Sequence, residues 1–283
     1  MLHQRVNGYD MAYVEMGQGE PLVCVHGSLC DYRVWSPVLG PLSQRHRVIA
    51  PSLRRYFPEH WDGVGDGFTI AQHVADVIAF LEALECKVHL LGHSRGGHIA
   101  FRVAQQRPDL LHRVILAEPG GDLDASLAPE AAGALPALNA HVVGAVEKIA
   151  AGDVEGGLAV FVDAINGPGV WRLLPAAAKQ RLRDNARTLL GQQHEQRQPY
   201  TRADAEGIRV PTLFIGGAET PGSLPIVLRA LATHVPAAHV AIIPNTTHMM
   251  FEQDPVRFSS VVLDFLATQS PKPHGAITFP VPA

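Results

Sequence analysis

Val88-His89-Leu90-Leu91-Gly92-His93-Ser94-Arg95-Gly96-Gly97-His98-Ile99-Ala100 is the stretch that decides the fold. An apolar run leads into Gly-x-Ser-x-Gly, and Gly97 to Ala104 then reads as a helix. Strand, sharp turn and helix in that order lift a serine hydroxyl clear of a sheet, while the flanking glycines let neighbouring backbone come close. Ser94 is therefore the candidate nucleophile. The bland alternative is an ordinary glycine-rich turn, since Gly and Ser are common in loops. The strand before and the helix after favour the nucleophile.

Working outward, Val6 to Glu15 and Pro21 to Val25 read as strands, with Gly17-Gln18-Gly19 as the turn between them. Arg47 to Ala50 is a further short strand. Ile70, Val74, Val77, Ile78, Leu81 and Leu84 fall at helical spacing, so Ile70 to Leu84 is expected as a helix capped by Thr69. Lys87 to Leu91 and His112 to Ala117 are expected strands. The alternation then pauses. From about Asp122 to Tyr200 the chain has helical periodicity only, as in Ala137 to Ile149, Val154 to Ile165 and Pro175 to Leu190. It resumes with the strand Val210 to Ile215, a helix at Leu224 to Thr233, the strand His239 to Ile243 and a helix at Pro255 to Leu266. Strands alternating with helices indicate an α/β fold with a mainly parallel twisted sheet covered on both faces. Residues 1–121 and 201–269 are expected to form the core, 122–200 an inserted helical cap, and 270–283 a mobile, proline-rich tail.

A chain of 283 residues, 47% of them hydrophobic, is long enough for one large core. The net charge of −4 is scattered, with no basic run of the kind that binds nucleic acid. No run reaches the ~18 apolar residues of a membrane span, and the first residues lack a signal-peptide pattern. The three cysteines, Cys24, Cys30 and Cys86, read as reduced thiols, which points to a cytoplasmic location. Asp62, Asp66 and Asp76 lack the order of a calcium loop, and no His/Cys group has zinc spacing, so neither a catalytic metal nor a cofactor is expected.

A serine hydroxyl needs a base, usually a histidine held in one tautomer by a carboxylate. His248 follows a strand and the polar turn Asn245-Thr246-Thr247, which puts it on the same rim as Ser94. An oxyanion hole needs two backbone donors. The N–H of Arg95, just after the nucleophile, is one. The N–H of Ser28, after the strand and His26-Gly27, is the other.

With His26-Gly27, the serine motif and His248 in this order, the chain resembles the α/β-hydrolase superfamily over roughly residues 3 to 268. The resemblance implies a serine hydrolase whose acid usually follows the first strand after the cap, in a Gly-x-x-Asp pattern. Here that segment is Gly217-Ala218-Glu219-Thr220-Pro221: Thr220 holds the acid position and Glu219 is one residue short. Some branches instead carry a glutamate after the strand preceding the cap, and Glu118 stands there. Glu118 is the expected acid and Glu219 the alternative.

Ser52-Leu53-Arg54-Arg55-Tyr56-Phe57-Pro58 departs from the Asp-x-Arg-Gly-x-Gly-x-Ser of many relatives. Arg54 and Arg55 could hold a substrate carboxylate or pair with the protein's own acids, and Tyr56 is expected on the pocket wall. The Arg95 side chain is expected beneath the site. In the cap, Trp171, Phe161, Leu173 and Leu174 could form an apolar ceiling or pack on the core. The expected function is hydrolysis of a small carboxylic ester or lactone through an acyl-enzyme. The rivals are a C–C bond hydrolase of diketone-like substrates and a hydrolase-fold binding protein with little turnover.

Overall fold

The computed structural model describes residues 1–127 and 140–268. The expected tail at 270–283, and the first residues of the helix expected from Ala137, lie outside the described residues. The described strands are β1 (Leu2–Val6), β2 (Tyr9–Met16), β3 (Pro21–Val25), β4 (Arg47–Pro51), β5 (Val88–His93), β6 (Leu111–Ala117), β7 (Thr212–Gly217) and β8 (Ala238–Ile243). They form one sheet in the order β1-β2-β4-β3-β5-β6-β7-β8. β2 is antiparallel to β1 and β4, and from β4 to β8 the strands are parallel.

The N-terminal strand differs from the sequence reading. The expected strand from Val6 to Glu15 is the second half of a hairpin that turns at Asn7-Gly8, both with positive φ (46° and 74°). Asn-Gly is the strongest short-range hairpin signal, because both turn residues must be left-handed to match the twist of the strands.

The helices are α1 (Ser36–Ser43), α2 (Ile70–Glu82), α3 (Arg95–Gln106), α4 (Ala140–Ala150), α5 (Val154–Asn166), α6 (Val170–Leu173), α7 (Ala176–Asp184), α8 (Thr188–Gln193), α9 (Arg202–Glu206), α10 (Leu224–His234), α11 (Met250–Gln253) and α12 (Pro255–Ala267). Thr69 caps α2 by accepting from the Gln72 N–H at 3.0 Å, as its side chain predicts. The central strands divide their side chains between two layers. Val23 and Val25 of β3, Val114 and Leu116 of β6, and Phe214 of β7 pack with α2, α3 and α10. Leu22 and Cys24, Ile115 and Ala117, and Leu213 and Ile215 pack on the other face with α1 and α12. Burial on both faces explains why these strands are continuous apolar runs without polar alternation.

Helices α4 to α9 lie between β6 and β7 in the chain. The insertion leaves and returns at one place: Asp124 N donates to Tyr200 O, and Tyr200 N to Asp122 O, at 2.9 and 2.8 Å. Its own apolar cluster includes Leu158, Trp171, Leu182 and Leu189, together with Leu29 from the loop after β3. The helix expected from Pro175 to Leu190 is broken into α7 and α8. At the break, buried Asn185 donates to Asp31 Oδ2 (2.7 Å) and accepts from Phe57 N (2.8 Å), tying the insertion to the core.

Two glycines fix the junction of β5 and α3. A Cβ on Gly92 would collide with the Gly96 carbonyl, and one on Gly96 with the carbonyl of Val25 in β3. Gly144 in α4 differs: an added Cβ would make ordinary contact with Val160 Cγ1 at 3.7 Å. Gly96→Ala is therefore expected to lower stability by about 1–3 kcal/mol, whereas Gly144→Ala should raise it by about 0.5–1 kcal/mol. Urea unfolding of both variants checks the opposite signs.

Candidate active site

Ser94 sits between β5 and α3 with φ 53° and ψ −116°, a conformation that a non-glycine residue adopts at a cost of order 1–3 kcal/mol. The strain is held by neighbours. Ser94 N donates to Ala117 O at 3.0 Å, and Ser94 O accepts from His98 N (3.0 Å) and Gly120 N (2.9 Å). The register pairs His93 with Ala117, so the residues that follow, Ser94 and Glu118, leave adjacent strand ends side by side. Arg95 opens α3, and its N–H has no acceptor within the helix.

His248 lies in the loop after β8. Its Nδ1 is 2.6 Å from Glu118 Oε2, and the other carboxylate oxygen, Oε1, accepts from Gly217 N at 2.9 Å. Both side chains are buried. The Glu118 carboxylate therefore bridges the histidine and the end of β7, where relatives are expected to carry their acid. Glu219 is exposed, its N–H donates to Thr246 O, and Thr220 is buried with its Oγ1 unpartnered among the described residues. Of the two acids considered, Glu118 meets the histidine.

His26 holds the loop after β3. Its Nδ1 is 2.9 Å from Gly27 O, and its Nε2 accepts from Leu53 N at 3.0 Å, an arrangement that suits the neutral Nδ1–H tautomer. Gly27 lies against the elbow: a Cβ there would be 3.0 Å from Ser94 Cβ. Ser28 follows, and its hydroxyl donates to Gln192 of α8 at 2.7 Å.

Ser28, Ser94 and His248 share a cavity of about 360 Å³, a size suited to a small molecule. Its walls are mainly apolar and come largely from the insertion. Of the expected ceiling, Phe161 and Leu174 line it. Trp171 does not. It is buried in the insertion's own cluster, and Leu173 is 84% exposed. Arg54 is likewise not brought to the cavity: its guanidinium grips Asp76 at 2.7 and 2.9 Å. Arg55 pairs with Glu59 at 2.8 Å. Tyr56 is fully buried edge-on to His26 and supports the loop from behind. The Arg95 guanidinium, also buried, binds Glu195 at 2.7 Å beneath the elbow.

Sequence reasoning missed three features. His93 Nε2 lies 2.9 Å from His248 O, fixing the backbone of the late histidine. Arg181 and Glu252 form an ion pair (2.7 Å) in the cavity wall, where burial raises the Glu252 carboxyl above its usual range. Cys30 also lines the wall. Burial pushes its thiol up to about 12, so it stays neutral and does not compete as a nucleophile. None of these has a sequence signature, because each depends on segments far apart in the chain.

The family model described as the alpha/beta hydrolase family matches residues 22–261, and the chain belongs to that family. It is 28% identical over 289 residues to an uncharacterized protein of Mycobacterium tuberculosis, covering 94% of this chain and 81% of that one. Over 115 residues, 36% of this chain and 38% of the other, it is 34% identical to the 2-hydroxy-6-oxo-2,4-heptadienoate hydrolase of Pseudomonas putida. The enol-lactonase of Burkholderia xenovorans superposes with a TM-score of 0.75 at 20% identity, covering 94% of this chain and all of that one. The chain is thus a hydrolase of this fold. Among the described residues no helix is long and apolar enough to cross a membrane.

Several buried histidines around the site are neutral. Burial lowers His26 to about 4, and it pulls His73, His93 and His98 well below the usual value, with Arg95 reinforcing the effect on His73. Unfolded, each takes up a proton near pH 6.5, so below that pH the unfolded chain binds more protons than the folded one. Stability is complete above about pH 6.5 and falls as pH drops towards 4, by up to ~1.4 kcal/mol per pH unit for each histidine. Urea midpoints at pH 7, 6 and 5 should fall steadily. A flat profile would contradict the neutral burial.

Proposed function

We propose that the protein is a serine hydrolase that cleaves a small carboxylic ester or lactone through an acyl-enzyme. The observation that carries this reading is the 2.6 Å contact of Glu118 with His248 Nδ1, at a cavity that Ser94 and His248 both line. His248 takes the Ser94 proton through Nε2 as the hydroxyl attacks the carbonyl carbon. The N–H groups of Ser28 and Arg95 stabilise the oxyanion, each worth ~3–4 kcal/mol of barrier in sites of this type. His248 then protonates the leaving alkoxide, and water activated by the same imidazole releases the acid. Glu118 holds the tautomer and stabilises the imidazolium. Residues 122–200 act as the cap, whose apolar side chains favour a substrate with an apolar acyl or alcohol part.

Cleavage of a C–C bond in a diketone-like substrate is the second reading. Arg181 in the cavity wall favours it, as a cation that could receive a carboxylate, and the Pseudomonas putida relative is named for the hydrolysis of a hydroxy-oxo-dienoate, itself a carboxylate. Arg181 already faces Glu252, which favours a neutral substrate.

A panel of esters graded in acyl and alcohol size, lactones and diketones separates the readings by product. Turnover of esters or lactones is expected, with loss of at least ~10³-fold in Ser94→Ala. A fluorophosphonate probe should label the native protein and not Ser94→Ala. Failure to label the folded native protein would favour a binding protein with little turnover.

The acid is tested directly. Glu118→Gln should lower kcat by ~10³–10⁴-fold, while Glu219→Gln should stay within about two-fold. The reverse pattern would overturn the assignment of Glu118.

A further inference from the structure

Three residues outside the site gather at the opposite end of the sheet, where the central strands begin. Glu20 immediately precedes β3, His46 immediately precedes β4, and His89 is the second residue of β5. These strands are neighbours, so their starts bring the three side chains together. One ligand atom from each lies within 4.8 Å of the other two. His89 is five residues upstream of Ser94, about 16–17 Å along the strand at ~3.3 Å per residue, so the cluster is not part of the candidate active site.

The chemistry of the donors is that of a transition-metal site. His89 is 2% exposed, and its Nε2 stands 3.1 Å from Glu20 Oε2. Its Nδ1 is buried without a hydrogen-bond partner among the described residues. His46 is also buried, and its Nδ1 lies 3.3 Å from the Glu20 carbonyl oxygen. A ring nitrogen that donates to a backbone carbonyl leaves the other nitrogen to ligate, the usual outer support of a metal-bound histidine. The His46 and His89 rings meet edge to face at 5.4 Å, and the exposed His112 ring is 5.5 Å from that of His89.

We propose that Glu20, His46 and His89 bind one divalent transition-metal ion of the zinc class, with His112 as a fourth ligand. Two imidazoles and a carboxylate suit Zn²⁺, whose bonds to N and O are about 2.0–2.2 Å, which puts tetrahedral ligand atoms about 3.3–3.5 Å apart. From a spread of up to 4.8 Å the cluster must contract by about 1.3–1.5 Å at most. Glu20, whose side chain is 66% exposed, is free to adjust, and its Oε2 already stands 3.1 Å from His89 Nε2, so the contraction falls on the distances to His46. The bound ion would tie together the starts of β4, β3, β5 and β6.

The test uses untagged protein freed of metal by a chelator and titrated with Zn²⁺ alone. Binding is read by competition with a chromogenic chelator, and thermal unfolding is followed in parallel. One equivalent should bind with a Kd of about a micromolar or tighter and raise Tm by several degrees. Both effects should vanish in His46→Gln/His89→Gln, with esterase activity retained. Should that double variant misfold, Glu20→Gln and His112→Gln, whose side chains are exposed, should each weaken binding about ten-fold in a folded protein. Cys86→Ser should leave it unchanged, which separates the site from the exposed thiol. Absence of stoichiometric binding, or binding undiminished in the ligand variants, would overturn the proposal.

Discussion

The close approach of α3 to the sheet is the constraint on which the site depends. Gly92 and Gly96 leave no room for a side chain between β5, β3 and the first turn of α3. That contact forces the chain through the left-handed conformation at Ser94. The backbone of the same residue is clamped to the next strand end, through Ala117 O below and Gly120 N above. Glu118 lies inside this clamp, with its N–H donating to Ile215 O at 2.9 Å and its own φ at 41°. Ser94 and Glu118 are therefore set by one hydrogen-bonded unit. A shift of the elbow would move both.

The insertion is attached to this unit by polar ties that are themselves buried. Arg95 meets Glu195 from the end of the insertion, and Glu195 also binds Arg197 at 2.9 Å. Asn185 reaches Asp31, and Gln192 reaches Ser28. Taking such groups out of water offsets much of the attraction between them, so they add little net stability. What they supply is direction: each fits one placement of the insertion over the core. The apolar cluster beneath it would tolerate several. The ties end on Ser28, on Arg95 and on Asp31, so the placement of the insertion is coupled to the backbone at Ser28 and Arg95.

The fold was legible because it rests on local signals. Apolar runs four to six residues long, helical spacing and a strand–turn–helix motif recur at intervals that only a mainly parallel sheet satisfies. His248 and Glu118 could be reached the same way, since both stand just past strand ends on the rim that Ser94 defines. The hairpin at Asn7-Gly8 carried an equally local signal and was overlooked. The pocket wall was less accessible. Arg54 and Tyr56 follow Leu53, whose N–H meets His26, yet Arg54 is drawn away by Asp76, 22 residues along the chain, and Tyr56 faces inward. Trp171 and Leu173 are in the right helix, but its orientation is set by packing within the insertion. Arg181, Glu252, Glu20, His46 and His89 acquire their surroundings only when distant segments meet.

The position of the Glu118 carboxylate has a physical logic of its own. β6 and β7 are adjacent, and their ends converge on the loop that bears His248. Either strand end can therefore present a carboxylate to Nδ1. A residue on β7 stands next to the loop, where Gly217 is already pressed against the carbonyls of Thr246 and Thr247. A side chain from β6 must reach across the end of β7, which calls for the extra methylene of glutamate over aspartate. In crossing, it can accept the Gly217 N–H, so its second oxygen is satisfied inside the protein and needs no water. The same bond ties the acid to β7, whose partner β8 leads into the histidine loop. With a carboxylate supplied from β6, the position after β7 is free of charge, and the uncharged hydroxyl of buried Thr220 costs far less to bury there than a second carboxylate would.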